Sequence, residues 1–250
     1  MSDTLTLKLR SQRKHVDAQG RNVWQVAEEA RRVRADRVAI LICDMWDAHT
    51  CEAAGVRVGE MVPRMNAVIR AARARGVHIL HGPNDCLDFY AQSPARRRML
   101  EAPLCQPPAP LAHDDPPQPV DGTEASDSPT IDRPHTLWPW TRQHAGLEID
   151  ETRDGVTVSG TEIYNYIRQH GIEQYLILGV HTNMCIQHRT FGIKQMVRWG
   201  VPTALVRDLT DAMYNPFRSP YVSHEEGTRL VVEFIEKFWC PTIVSADLTA

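Results

Sequence analysis

Residues 38–43, Val38-Ala39-Ile40-Leu41-Ile42-Cys43, form an unbroken apolar run between Arg37 and Asp44. A short run of this kind is typical of a strand buried on both faces, as in the parallel sheets of α/β proteins. Further short apolar runs, which predict the other strands, occur at residues 77–80, 175–180, 202–206 and 242–244.

Helical patterns separate these runs. Apolar residues recur at helical spacing over residues 61–72, and amphipathic or helix-like segments follow at residues 160–171, 185–199 and 222–238. Alternation of strands and helices predicts a parallel sheet with helices on both faces. We therefore expect a three-layer α/β/α domain over residues 37–250, with a central, mostly parallel sheet.

Two segments fall outside this pattern. Residues 1–36 are polar and rich in charge, and we interpret them as an N-terminal arm with a short helix near residues 23–33. Residues 103–134 contain nine prolines and few large apolar side chains, so they predict an irregular insertion. The insertion is either a solvated surface loop or a lid or partner-contact loop.

Composition narrows the class of protein. The chain has 28 Lys and Arg against 31 Asp and Glu, a net charge of −3, so no nucleic acid partner is expected. No apolar run is long enough to span a membrane, and no secretory signal is visible at the N-terminus, so we expect a cytoplasmic protein without a membrane partner. The six cysteines contain no CxxC pair, which argues against a zinc ribbon or a disulfide framework.

Reactive side chains follow the predicted strands, where α/β proteins place their sites. Cys185 follows the strand at 175–180 and begins a predicted helix, whose N-terminus would lower the thiol pKa and offer N–H groups to an oxyanion. Asp44 directly follows the strand at 38–43 and could accept the thiol proton. The alternatives are an inert buried cysteine and a carboxylate that braces a loop.

Two of these strand ends resemble a known family. The segments Ile-Cys-Asp-Met-Trp-Asp at 42–47 and Gly-Val-His-Thr-Asn-Met-Cys at 179–185 resemble the isochorismatase-like, nicotinamidase-related cysteine hydrolase superfamily, and residues 208–216 resemble one branch of it. The resemblance implies an isochorismatase-like fold and a homo-oligomer. It also implies that Cys185 attacks a carbonyl carbon, that Asp44 moves the protons, and that a cis peptide joins Val180 to His181. The N–H groups of His181 and Cys185 would then form the oxyanion hole.

The family's third catalytic residue is a lysine, and this sequence departs from that pattern. The corresponding position lies at or near Thr152, and no lysine occurs between Lys14 and Lys194. Thr152 or Arg153 is the candidate substitute, and arginine would supply charge but no proton. Two functions therefore remain open. The first is a cysteine hydrolase that acts on a small-molecule amide or related C–N bond through a Cys185 thioester. The second is a catalytically weakened or non-hydrolytic binding or scaffold protein on the same fold.

A metal-dependent hydrolase is a further, less favoured hypothesis, and we expect no required cofactor. Asp47 and His49 have ligand-like spacing, and His81 could complete a divalent metal site. The same aspartate and histidines could instead bind substrate or brace loops. Residues 81–85 depart from the metal-binding pattern of nicotinamidases.

We expect His188 and Arg189 only to line the surface of their helix. The candidate substrate-binding residues are Trp46, His49, His81, Tyr90 and Asn183, and the tryptophans that could complete a pocket wall are Trp138 and Trp140.

Overall fold

A computed structural model describes residues 3–122 and 139–250 of the chain. From residue 38 onward, strands and helices alternate, as the sequence predicts. The strands are β1 (Thr4–Val16), β2 (Asn22–Arg34), β3 (Val38–Cys43), β4 (His78–Gly82), β5 (Gly155–Val156), β6 (Gln174–Val180), β7 (Thr203–Asp211) and β8 (Thr242–Ile243). The α-helices are α1 (Glu52–Ala74), α2 (Pro94–Leu100), α3 (Gly160–His170), α4 (Cys185–His188), α5 (Ile193–Arg198), α6 (His224–Phe238) and α7 (Ala246–Thr249).

The strands form one eight-stranded sheet in the order β2-β1-β8-β7-β6-β3-β4-β5. The strands from β8 to β5 pair in parallel, whereas β1 pairs antiparallel with both β2 and β8. Strand β3 lies between β6 and β4, and all six of its residues are buried. The predicted α/β architecture with a mostly parallel sheet is confirmed.

Apolar cores lie on the two faces of the sheet because each face is covered by helices. One core contains Ile167 of α3 and Phe234 of α6. The other contains Met65 and Ile69 of α1 together with Leu248 of α7. None of the helices in the described ranges is long and apolar enough to cross a membrane.

The N-terminal segment differs from its prediction. The helix expected near residues 23–33 is wrong, because this stretch is β2 and forms a long antiparallel hairpin with β1. The alternating Leu5 and Leu7 of β1 are buried together with Val33 of β2. The hairpin therefore belongs to the main sheet, and pairing between distant residues overrides the weak local pattern of β2.

The helix predicted for residues 185–199 is also wrong in extent, since it is divided into α4 and α5. Arg189 leaves the helical conformation with ψ of 158°. Gly192 lies so close to the backbone of Gln187 that an added Cβ would approach it to 2.9 Å. Because α4 ends at His188, the residues that follow it are not held in a continuous helix beside Cys185.

The proline-rich insertion has no helix or strand over residues 103–122, as predicted, and its remaining residues 123–134 lie outside the described chain. Its described part is fixed against the helical layer. The Leu111 N–H donates to the Arg198 carbonyl, and Asp115 accepts hydrogen bonds from Lys194 and Trp239.

Candidate active site

Strands β3 and β6 bring the two predicted site segments together. They pair in parallel with Cys43 opposite Gly179, so the residues after both strands emerge at the same edge of the sheet. Gly179 has φ of 105°, and a Cβ there would lie 2.2 Å from the Cys43 carbonyl oxygen. Only glycine fits this close approach and this left-handed conformation.

The loop after β6 has the geometry that the resemblance implies. The Val180–His181 peptide is cis, which confirms that expectation. The Met184 N–H donates to the His181 carbonyl at 2.9 Å, and the Thr182 N–H donates to the backbone carbonyl of Asp211 in β7 at 2.8 Å. Cys185 is the first residue of α4, so its own N–H has no acceptor within the helix.

Asp44 lies directly beside the thiol and is fully buried. Its φ of 47° is unusual for a residue other than glycine and turns the side chain into the site. One carboxylate oxygen accepts the Asn84 N–H at 2.9 Å, the other accepts Arg189 Nε at 2.9 Å, and the carboxylate also hydrogen-bonds Cys185. Burial raises the pKa of Asp44, and the Arg189 guanidinium opposes that rise.

The Cys185 thiol pKa is raised, which corrects the expectation of a thiol activated by its helix. Burial is the main cause, and the negative charge of Asp44 adds to it. The His181 N–H hydrogen-bonds the sulfur and acts in the opposite direction. A helix of four residues does not overcome these effects. The resting side chain is therefore a neutral thiol.

Arg189 provides the positive charge at this pair, a role that the sequence interpretation missed. Its side chain is 27% exposed, and its guanidinium also lies 3.7 Å from the Asp85 carboxylate. Asp44 raises the pKa of Arg189 against the effect of burial, so the guanidinium stays charged. The available signal was its spacing of four residues from Cys185, one helical turn, and the Arg189 N–H does donate to the Cys185 carbonyl.

The two residues predicted to substitute for the lysine do not bond Asp44. Thr152 and Arg153 belong to a turn in which both side chains bind Asp150, and Arg153 is largely exposed. The sequence count identified a position on this turn, but the turn does not reach Asp44. Lys194, the nearest lysine along the chain, donates to Asp115 at 2.7 Å.

A cavity of about 240 Å³ opens beside Cys185. Trp46 and Trp140 stack with ring centroids 4.3 Å apart and form an aromatic wall, and His49 packs against both. His181 is buried, and burial lowers its pKa to about 3, so its imidazole is neutral. The other lining residues, which include several that the sequence did not single out, are Thr50, Asp85, Met184, Cys185, Arg189 and Met213.

The sequence profile of the isochorismatase domain matches residues 38–218. The chain belongs to this family. Its fold resembles a cysteine hydrolase from Pseudomonas syringae pv. phaseolicola, with 17% identity, coverage of 87% of this chain and 92% of that chain, and a TM-score of 0.53. It also resembles an isochorismatase from Pseudomonas putida, with 11% identity, coverage of 86% and 91%, and a TM-score of 0.51. At these identities the likeness concerns the fold alone. No curated protein sequence matches the chain.

The cavity beside Cys185 includes only some of the predicted substrate-binding residues. Trp46 and His49 line it. Tyr90 lies behind the wall and accepts the Gln143 N–H, while Asn183 bonds both backbone groups of Met213. These two side chains therefore support loops around the cavity. Trp138 lies outside the described residues.

The suggested metal ligands of this isochorismatase-family chain do not converge. Asp47 accepts hydrogen bonds from Thr141, and His81 is fully buried between Gln143 and Asp154. His49 Nδ1 accepts the Cys51 N–H. Within residues 3–122 and 139–250, no three His, Cys, Asp or Glu side chains are grouped as metal ligands. These residues do not fit the metal set considered from the sequence.

Proposed function

We propose that the chain is a cysteine hydrolase that cleaves a small-molecule amide or a related C–N bond through a Cys185 thioester. The observation that carries the proposal is the contact of Cys185 with Asp44. Arg189 holds the Asp44 carboxylate by a hydrogen bond, and Cys185 lines the cavity that Trp46 and Trp140 wall. A buried thiol with a raised pKa is a weak nucleophile alone, and an adjacent carboxylate supplies the missing proton acceptor.

In the first half-reaction, Asp44 takes the Cys185 proton as sulfur bonds to the carbonyl carbon of the substrate. The carbonyl oxygen becomes an oxyanion, and the N–H groups of His181 and Cys185 are its proposed donors. The C–N bond then breaks, and Asp44 returns its proton to the leaving nitrogen. Ammonia or an amine leaves, and the acyl group stays on sulfur.

In the second half-reaction, Asp44 takes a proton from water as the water oxygen attacks the thioester carbon. The C–S bond breaks, and the proton returns to sulfur, which restores the thiol and releases the acid. Arg189 orients Asp44 and favours its ionised form before each proton is accepted, which is the charge role that the family assigns to lysine. Arginine does not exchange the proton itself.

The cavity favours a small, flat substrate. Its lining is largely apolar, with two tryptophans and a few polar side chains, a composition typical of small-molecule sites. The stacked Trp46 and Trp140 can hold a planar group against the wall while its carbonyl reaches Cys185.

Ammonia release from a panel of primary amides, ureas and carbamoyl compounds tests this function. We expect Cys185→Ala and Asp44→Asn to abolish release from the best substrate. Cys105→Ala is the matched control, because Cys105 is also partly exposed but lies beside α3, where its N–H bonds Asn165.

Turnover by Cys185→Ala at the wild-type rate would overturn the proposal. If no compound gives more ammonia with the wild type than with Cys185→Ala, the non-hydrolytic binding function on the same fold replaces it.

A further inference from the structure

Strand β2 forms one edge of the sheet and pairs with β1 along its whole length. At the hairpin turn, the Asp17 N–H donates to the Arg21 carbonyl at 2.8 Å. Hydrogen-bonded pairs alternate along an antiparallel ladder, so the odd-numbered residues of β2 bond β1. The backbone N–H and C=O groups of its even-numbered residues therefore point away from the sheet.

This outer edge is accessible. Every even-numbered residue from Asn22 to Arg34 is exposed, and Val26 has 52% of its surface accessible. Within the described ranges, the side chains of Glu28 and Arg32 make no hydrogen bond or ion pair. A long edge with free backbone groups is a template for another strand.

The sequence of β2 complements its own reverse. When two copies of a strand pair antiparallel about a two-fold axis, one residue faces its own copy. If that residue is Ala30, Glu28 faces Arg32 of the second copy. Glu29 lies opposite Arg31, whose guanidinium also donates to the Gln174 side chain and the Glu173 carbonyl of its own chain. Centring the pair one or two residues away on Glu28, Glu29, Arg31 or Arg32 would instead place like charges opposite each other, which disfavours pairing.

We propose that β2 is a dimerisation edge, on which a second copy of this chain adds its own β2 antiparallel and centred on Ala30. The two sheets then continue as one. The small Ala30 side chain at the axis lets the two strands approach, and the flanking charges select the register. In this register each glutamate beside Ala30 lies opposite an arginine of the second copy. This match between β2 and an antiparallel copy of itself favours a second copy of the chain over an unrelated strand. This inference does not depend on the proposed function.

Charge reversal with rescue tests the register. Glu28→Arg and Arg32→Glu each place like charges opposite each other, so either change alone is expected to halve the mass of the assembly measured by light scattering. The double variant Glu28→Arg/Arg32→Glu restores opposite charges and the wild-type mass. Mixing the two single variants is also expected to restore it, since one chain then presents two arginines and the other two glutamates.

Ala30→Pro removes an outward N–H while leaving the bonds to β1 intact, and it is also expected to halve the mass. Circular dichroism and the melting temperature show whether each variant is folded. A wild type with the mass of one chain at every concentration overturns the proposal. So does a folded Glu28→Arg variant with the wild-type mass, or a mixture of the single variants that stays dissociated.

Discussion

Arg189→Gln removes the only side-chain cation in the described chain that bonds Asp44, at 2.9 Å from its carboxylate. A neighbouring arginine typically lowers a carboxyl pKa by about one to three pH units. Burial already raises the pKa of Asp44, so losing the guanidinium raises it further. The ionised base is then present only at higher pH, and the acid limb of the activity profile moves to higher pH.

The size of the effect follows from the burial of the pair. Each pH unit changes the ionised fraction about tenfold, so activity at a fixed pH on the acid limb falls by about 10- to 1,000-fold. Asp44 is fully buried, but Arg189 is 27% exposed. We therefore expect kcat/KM to fall about 100-fold, near the middle of that range. Stability falls by about 2–3 kcal/mol, less than the about 3–5 kcal/mol typical of breaking a fully buried pair.

The assay is the pH dependence of kcat/KM for ammonia release, with a substrate-free readout beside it. The rate at which iodoacetamide alkylates Cys185 falls in Arg189→Gln, because the thiol loses a positive neighbour that lowers its pKa. Arg189→Lys keeps the charge and retains more activity than Arg189→Gln. Arg153→Gln is the matched control, since that arginine binds only Asp150 in the described chain and should leave both rates unchanged. An Arg189→Gln enzyme with the wild-type profile and alkylation rate would refute this reasoning.

Three further predictions concern stability. His181 is buried with a pKa near 3, whereas a histidine in the unfolded chain titrates near 6.5, so protonation favours unfolding as the pH falls. At pH 5 this protonation lowers the free energy of unfolding of the wild type by about 2 kcal/mol, and we expect urea unfolding to show that His181→Gln lacks this loss. Gly179→Ala forces a Cβ against the Cys43 carbonyl at positive φ and should cost about 2–6 kcal/mol, seen as a large fall in melting temperature; a wild-type melting temperature would contradict this close approach. Arg73→Met leaves the Asp154 carboxylate buried without its arginine and should cost about 3–5 kcal/mol in the same unfolding assay, whereas a loss below about 1 kcal/mol would show that the pair is dispensable.

The sheet could be predicted because its strands are short, fully apolar runs such as Val38–Cys43. The length of such a run, its β-branched residues and the polar residues that bound it are all contained in the local sequence. The hairpin could not be predicted in the same way. The β2 sequence is polar, and it is a strand because β1 pairs with it, which is information that the local window does not contain.

The candidate site shows a similar division. The contact between Cys185 and Asp44 was predictable because each follows a buried strand, and parallel strands bring such residues together. Arg189 was missed because the expected helix would have continued through it. The break after α4 and the buried carboxylate instead turn its side chain into the site. The position counted for lysine failed because Thr152 lies in a turn closed by Asp150.

The most direct test of the central claim is the stoichiometry of inactivation. The protein, with Cys105→Ala to simplify mapping, is treated with limiting iodoacetamide, and peptide mass spectrometry gives the alkylated fraction of Cys185. We predict that ammonia release falls in proportion to that fraction and that substrate slows both changes. Turnover that persists after Cys185 is fully alkylated would contradict the account.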